Sequence, residues 1–196
     1  MRPQKISREQ LLHSCAVVFK DSGLHGTSME ALARACGLTK AAFYHHYPTK
    51  QALLADVLAY THAQISQYLF AVAYDEQRSA AERMAAINQR AAKLFMDGPI
   101  GCLMGVIAVD APGASPKLLT AVQAFFDEWA QAFAHLYRCH WPAPQAERLG
   151  QQMVALYEGA ILMARTYQDP QRIRQAGELA LSWLDNAPAA TASGAG

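Results

Sequence analysis

The sequence is poor in cysteine, and none of it is arranged for use. Cys15, Cys36, Cys102 and Cys139 are scattered without a C-x-x-C pair, which suggests neither a disulfide framework nor a zinc site. No apolar run approaches the roughly 18 residues of a membrane span. The opening Met1-Arg2-Pro3-Gln4-Lys5 leads straight into an amphipathic pattern, with no signal peptide visible. A soluble, cytoplasmic protein without a membrane partner is the expectation. A Gly-x-Ser-x-Gly elbow, a His-Glu-x-x-His pair and a phosphate loop behind a strand are missing too. Gly98, Gly101 and Gly105 have no strand before them. No enzymatic activity and no cofactor are expected.

Net charge is also scarce, at +1, but its distribution is uneven. Residues 1–50 hold seven Lys/Arg against three acids, and the remainder holds ten against thirteen. A basic head on a mildly acidic body suits a head that meets phosphate. The length of 196 residues, 52% of them hydrophobic, allows a small domain joined to a larger one.

What is present reads as helix throughout, with no convincing strand and no repeat. Ser7-Arg8-Glu9-Gln10, Thr27-Ser28-Met29-Glu30 and Ser79-Ala80-Ala81-Glu82 have capping-box spacing. Leu12, Cys15, Ala16 and Phe19 recur at helical intervals until Gly23, and Met29, Leu32, Ala33 and Cys36 do so until Gly37. A short helix from about Lys40 to His46 is closed by Pro48. Thr49 can cap a long helix whose stripe runs from Leu54 to Leu69 and Val72. Asp97-Gly98-Pro99 and Pro112-Gly113 are breaks. Ser115-Pro116 opens another helix, and two more follow Pro142/Pro144 and Asp169-Pro170. The fold class is all-α, with about nine helices. The expected domains are a head at 1–48, a helical body at 49–187 and a fraying tail at 188–196.

Residues 28–47 carry the function. Two short helices joined by Gly37-Leu38-Thr39, with Leu32, Ala33, Leu38 and Phe43 to lock them, form a helix-turn-helix. Ala41 and Ala42 would let the second helix approach the major-groove floor, with Thr39 and Lys40 at its leading end to reach base edges. Tyr44, His45, His46 and Lys50 offer donors at the height of phosphates, and the capped start at Thr27 and Ser28 is a second anion site. Adjacent residues on a helix diverge by about 100°. His45 and His46 therefore make a poor metal pair, as do Cys139 and His140, and no metal is expected.

The run Gly26-Thr27-Ser28-Met29-Glu30-Ala31-Leu32-Ala33, followed by Gly37-Leu38-Thr39-Lys40-Ala41-Ala42-Phe43-Tyr44-His45-His46-Tyr47-Pro48-Thr49-Lys50-Gln51-Ala52-Leu53-Leu54, resembles the tetracycline-repressor (TetR/AcrR) family. The resemblance implies a homodimer whose three N-terminal helices bind a palindromic operator. It also implies a C-terminal ligand-binding and dimerisation domain, in which an effector changes the spacing of the heads and releases DNA. Gly101-Cys102-Leu103-Met104-Gly105 resembles a segment of one subgroup whose members respond to toxic or reactive organic compounds, although Val106-Ile107-Ala108-Val109 departs from that subgroup's continuation.

The expected function is therefore a ligand-responsive DNA-binding transcriptional regulator. A repressor released by a small apolar or electrophilic effector is the leading reading; an activator, or a helical binding protein without a regulatory ligand, is the alternative. Candidate ligand-binding residues are Tyr68, Phe95, Cys102, Met104, Phe126, Trp129 and Tyr157, because pockets between helices use such side chains. Cys102 is either a core thiol or a sensor, depending on whether it can ionise. Gly159, Ala160, Ala176, Gly177 and Ala180 would let the last two helices of one subunit pack closely on those of another, which is the favoured reading; close packing within the chain is the alternative.

Overall fold

The computed structural model describes residues 6–110 and 116–185. Pro112-Gly113, Ser115 and the 188–196 tail lie outside the described residues. Among those described are nine α-helices and one 3-10 turn, with no strand. The helices are α1 (Arg8–Gly26), α2 (Met29–Ala35), α3 (Lys40–His46), α4 (Lys50–Tyr68), α5 (Ala80–Met96), α6 (Leu103–Asp110), α7 (Pro116–Tyr137), α8 (Ala143–Tyr167) and α9 (Gln171–Asp185); the 3-10 turn is Phe70–Tyr74.

Local chemistry explains most boundaries. Ser7 and Ser79 accept from the amides of Gln10 and Glu82, and each of those side chains accepts the cap residue's own N–H. That satisfies two orphan donors at each start. The middle box shifts by one residue: Ser28, not Thr27, caps α2, accepting from Ala31. The stripe read through Val72 is not all one helix. Helix α4 stops at Tyr68, while Leu69 and Val72 stay buried in and beside the 3-10 turn. Arg90 donates to the Tyr68 carbonyl and Arg83 to the Ala73 carbonyl, both at 2.6 Å, so α5 supplies the partners that a helix end lacks.

The chain packs as two compact units, Met1–Ile65 with Gly101–Phe125, and Ser66–Ile100 with Phe126–Gly196. Within the first unit α6 packs on α1.

The second unit is built on an aromatic cluster. Trp129 lies 5.5 Å from Phe95 and 5.6 Å from Tyr157, centroid to centroid, with Phe70 and Phe133 at 6.1 Å, within the range where ring pairs attract. The Tyr157 hydroxyl donates to Asn88 Oδ1 and Asn88 Nδ2 donates to the Gly177 carbonyl, each at 2.6 Å, joining α8, α5 and α9. The Tyr137 hydroxyl donates to the Ala180 carbonyl at 2.9 Å. A Cβ on Gly177 would press on Asn88 and on the Tyr157 hydroxyl. Ala176, Gly177 and Ala180 are therefore buried against their own chain, contrary to the expectation that they face a second subunit.

Burial raises the phenols of Tyr137 and Tyr157 well above their ordinary range. Their folded values exceed the unfolded value of about 10, so the stability they contribute is present below that pH and is lost as pH rises through the folded values. Alkaline titration should show helical circular dichroism collapsing together with a late rise in tyrosinate absorbance. Full ionisation of all eight tyrosines near the free phenol value, with the helices intact, would contradict this packing.

Candidate DNA-binding head

Helices α1–α3 close around Leu11, Leu12, Cys15, Phe19, Leu32, Ala33 and Phe43, all buried. Phe43 is 0% exposed and pins α3 by its inner face. The turn before α3 is a Schellman motif: Leu38 N–H donates to the Ala33 carbonyl at 2.9 Å and Gly37 N–H to that of Arg34 at 3.0 Å. Gly37 has φ +66°, the left-handed region that side chains disfavour. Thr39 then caps α3 by accepting from Ala42 at 3.2 Å.

With Phe43 inward, the opposite side of α3 is offered to solvent. Thr39, Lys40, Ala41, Tyr44, His45 and His46 are exposed, Ala42 is half-buried, and Ser28 is exposed at the start of α2. Eight of the ten expected DNA-contact residues thus lie at the surface of two adjoining short helices.

The other two have different work. The Thr27 side chain is buried and its hydroxyl donates to the Gly23 carbonyl at 2.6 Å. Lys50 donates to the carbonyls of Leu24 and Thr27 at 2.5 and 2.7 Å, so its ammonium is engaged by backbone rather than held out for phosphate. Both serve the kink of α1, where Gly23 takes φ +68° and a Cβ would collide with the Asp110 carboxylate. That carboxylate also accepts the Leu24 N–H at 2.7 Å.

Sequence reasoning missed Asp110, and it missed a second tie. Asp56 on α4 accepts from the Tyr47 hydroxyl and from the Arg8 guanidinium, each at 2.8 Å. Burial, and then the Asp56 hydrogen bond, push the Tyr47 phenol up to about 12. Only the short spacing from Tyr47 to Asp56 left a trace in the sequence; Arg8 is 48 residues from Asp56 and Asp110 is 86 from Leu24.

Of the ligand candidates, Cys102 and Met104 are buried in the first unit, at the start of α6. Phe95, Trp129 and Tyr157 belong to the packed cluster of the second. Phe126 is half-buried. Tyr68 is exposed, with the Arg90 guanidinium 5.3 Å over its ring, beside an open groove that also touches Asn88, Lys93, Arg174 and Glu178.

Residues 11–57 match the family model for bacterial regulatory proteins of the tetR family, and residues 80–179 match that for the C-terminal domain of LmrA/YxaF-like transcriptional regulators. The chain belongs to the TetR family. It is thus a DNA-binding transcriptional regulator. The HTH-type transcriptional regulator YxaF of Bacillus subtilis (strain 168) is 26% identical over 167 residues, covering 83% of this chain and 87% of YxaF. A TetR transcriptional regulator from Legionella pneumophila superimposes with a TM-score of 0.82 at 19% identity, covering 91% of this chain and 97% of that one. A cysteine mutant of the TetR family regulator CifR, complexed with 26-base-pair operator DNA, gives 0.75 at 23% identity over 92% and 98%. Among the described residues, no helix is long and apolar enough to cross a membrane.

Replacing Lys50 by Met removes the donor to two carbonyls while keeping most of the stem. The expected loss is about 1–3 kcal/mol of stability, read by chemical denaturation, with the salt dependence of DNA binding left unchanged. A protein of normal stability whose binding lost one counterion's worth of salt dependence, a slope change of about 1, would return Lys50 to the DNA.

Proposed function

We infer that this TetR-family protein is a repressor that binds a palindromic operator as a homodimer and is released by a small apolar or electrophilic effector. The observation that carries the reading is α3 itself. It is anchored by Phe43, and its outer side combines small residues with Thr39, Lys40, Tyr44, His45 and His46, the combination that lets a helix enter a major groove and still reach phosphate. Ser28 supplements it; Thr27 and Lys50 hold the frame.

A second copy is supported by the surface of α8 and α9. Leu162 is 63% exposed and Tyr167 60%, with Met163 and Leu179 about 40%, and Gly159 faces open space. The proposed interface uses this apolar side and Ala160, not the small residues already buried in the chain. Two-fold symmetry would present two heads to two half-sites. For the effector, the aromatic second unit with Tyr68 and Phe126 is the proposed region. Cys102, only 4% exposed, is treated as a core thiol.

Binding to a duplex spanning the region upstream of the protein's own gene tests the reading. Lys40→Ala should weaken binding by about 1–3 kcal/mol and relax base preference, while Tyr44→Ala should weaken it across sequences. Unchanged affinity in both, with helicity retained, would end the case for α3. Sedimentation tests the interface separately. The wild type should run at twice the chain mass of 21.4 kDa and Leu162→Glu as a monomer; a dimer that persists in Leu162→Glu would place the interface elsewhere.

A further inference from the structure

The geometry points to Cys15 and Cys36 as an oxidation site: a dithiol that a hydroperoxide converts to a disulfide, disabling the head for DNA. The consequence for DNA rests on the operator reading above; the bridge itself does not. The two sulfurs lie 3.6 Å apart, from α1 and from the C-cap of α2. A disulfide bond of about 2.05 Å therefore requires them to close by about 1.5 Å. The other two cysteines are not part of this contact: Cys102 sits before α6 and Cys139 beyond α7.

The pair is not symmetric. Cys36 Sγ donates weakly to the Leu11 carbonyl at 3.8 Å, which leaves its lone pairs to accept the Cys15 S–H. That donated proton favours a thiolate on Cys36 and holds its acidity above that of an ordinary thiol; the same contact and burial push Cys15 the other way. Cys36 is also the more accessible, at 7% exposure against 0%, with the exposed residues Ala35 and Gly37 on either side. Cys36 is thus the attacking sulfur and Cys15 the resolving one.

The chemistry closes without a cofactor. Cys36 releases its proton to solvent and its thiolate attacks one peroxide oxygen; the O–O bond breaks, and the departing hydroxide takes up that proton and leaves as water, giving a sulfenic acid. The Cys15 sulfur then attacks the Cys36 sulfur and displaces hydroxide, which takes the Cys15 proton as a second water. Two thiols lose two electrons to one peroxide.

The position of Cys36 links this to function. Its N–H bonds the Leu32 and Ala33 carbonyls, and the next residue is Gly37, whose left-handed turn aims α3. Drawing the Cys36 sulfur toward α1 displaces that turn and, with it, Lys40 and Tyr44.

The test uses the reduced full-length protein and hydrogen peroxide. Alkylation, digestion and mass spectrometry should recover a peptide joining Cys15 to Cys36. Retention of the upstream duplex should fall by about tenfold or more and return with dithiothreitol. The Cys102→Ser/Cys139→Ser variant should behave like the wild type, whereas Cys36→Ala should bind the duplex and ignore peroxide. Recovery of Cys15 and Cys36 as free thiols when Cys139 is already oxidised would overturn the proposal, as would a bridged protein that binds DNA like the reduced one. The mass map decides the bridge by itself, so failure of the reduced protein to bind the duplex would count against the operator reading alone.

Discussion

The head depends on how the chain leaves its first helix. A helix end exposes carbonyls and amides that must be answered if they are buried, and at Gly23 the left-handed kink frees several at once. Three side chains answer them. The Thr27 hydroxyl donates to Gly23, the Lys50 ammonium to Leu24 and Thr27, and the Asp110 carboxylate accepts from Leu24. The peptide groups of one residue, Leu24, are thereby held by a cation from α4 and an anion from α6. Removing either leaves a polar group in a partly buried place without its partner, which costs more than the bond itself contributes.

This arrangement fixes where α3 can be. Helix α2 starts at the same knot, through Ser28 beside Thr27, and ends at the Gly37 turn; α4 starts there through Lys50. Helix α3 lies between those two constraints with Phe43 as its single buried side chain. Its last turn is tied once more through Tyr47, Asp56 and Arg8. A seven-residue helix with one anchor would be marginal alone. Held at both ends, it can expose nearly all its remaining side chains, which a groove-reading element requires.

Elements whose cause is local were legible in the sequence. The caps at Ser7 and Ser79, the stop at Gly37, the bounds of α3 and the all-helical class follow from residues within four positions of one another, and the structure repeats them; Gly23, read as a stop, is instead a kink within α1. The TetR resemblance was legible for the same reason, since its motif is a continuous run. Long-range partners were not. Nothing near Lys50 announces that its ammonium turns to carbonyls more than twenty residues back, so its charge read as a phosphate contact. The small residues of α9 misled in the same way: spacing shows that something packs closely on Gly177, but only the fold shows that it is Asn88 and Tyr157. The contact of Cys15 with Cys36 was half legible, because both lie on apolar stripes, yet spacing could not show that the stripes bring the two sulfurs together.

The boundary of the compact units gives this a consequence. Helix α6 falls inside the stretch matched to the C-terminal domain of LmrA/YxaF-like regulators, yet it packs in the same unit as α1. Its last residue, Asp110, holds the kink of α1, with the His25 ring 3.3 Å from the Asp110 carbonyl. A shift of α6 by a single ångström stretches the 2.7 Å hydrogen bond to Leu24 past useful length, unless the end of α1 moves with it. The end of α1 is also what Lys50 and Thr27 grip, so α4 and the start of α2 follow. Moving Asp110 would thus displace the frame in which α3 is held without any contact with α3 itself.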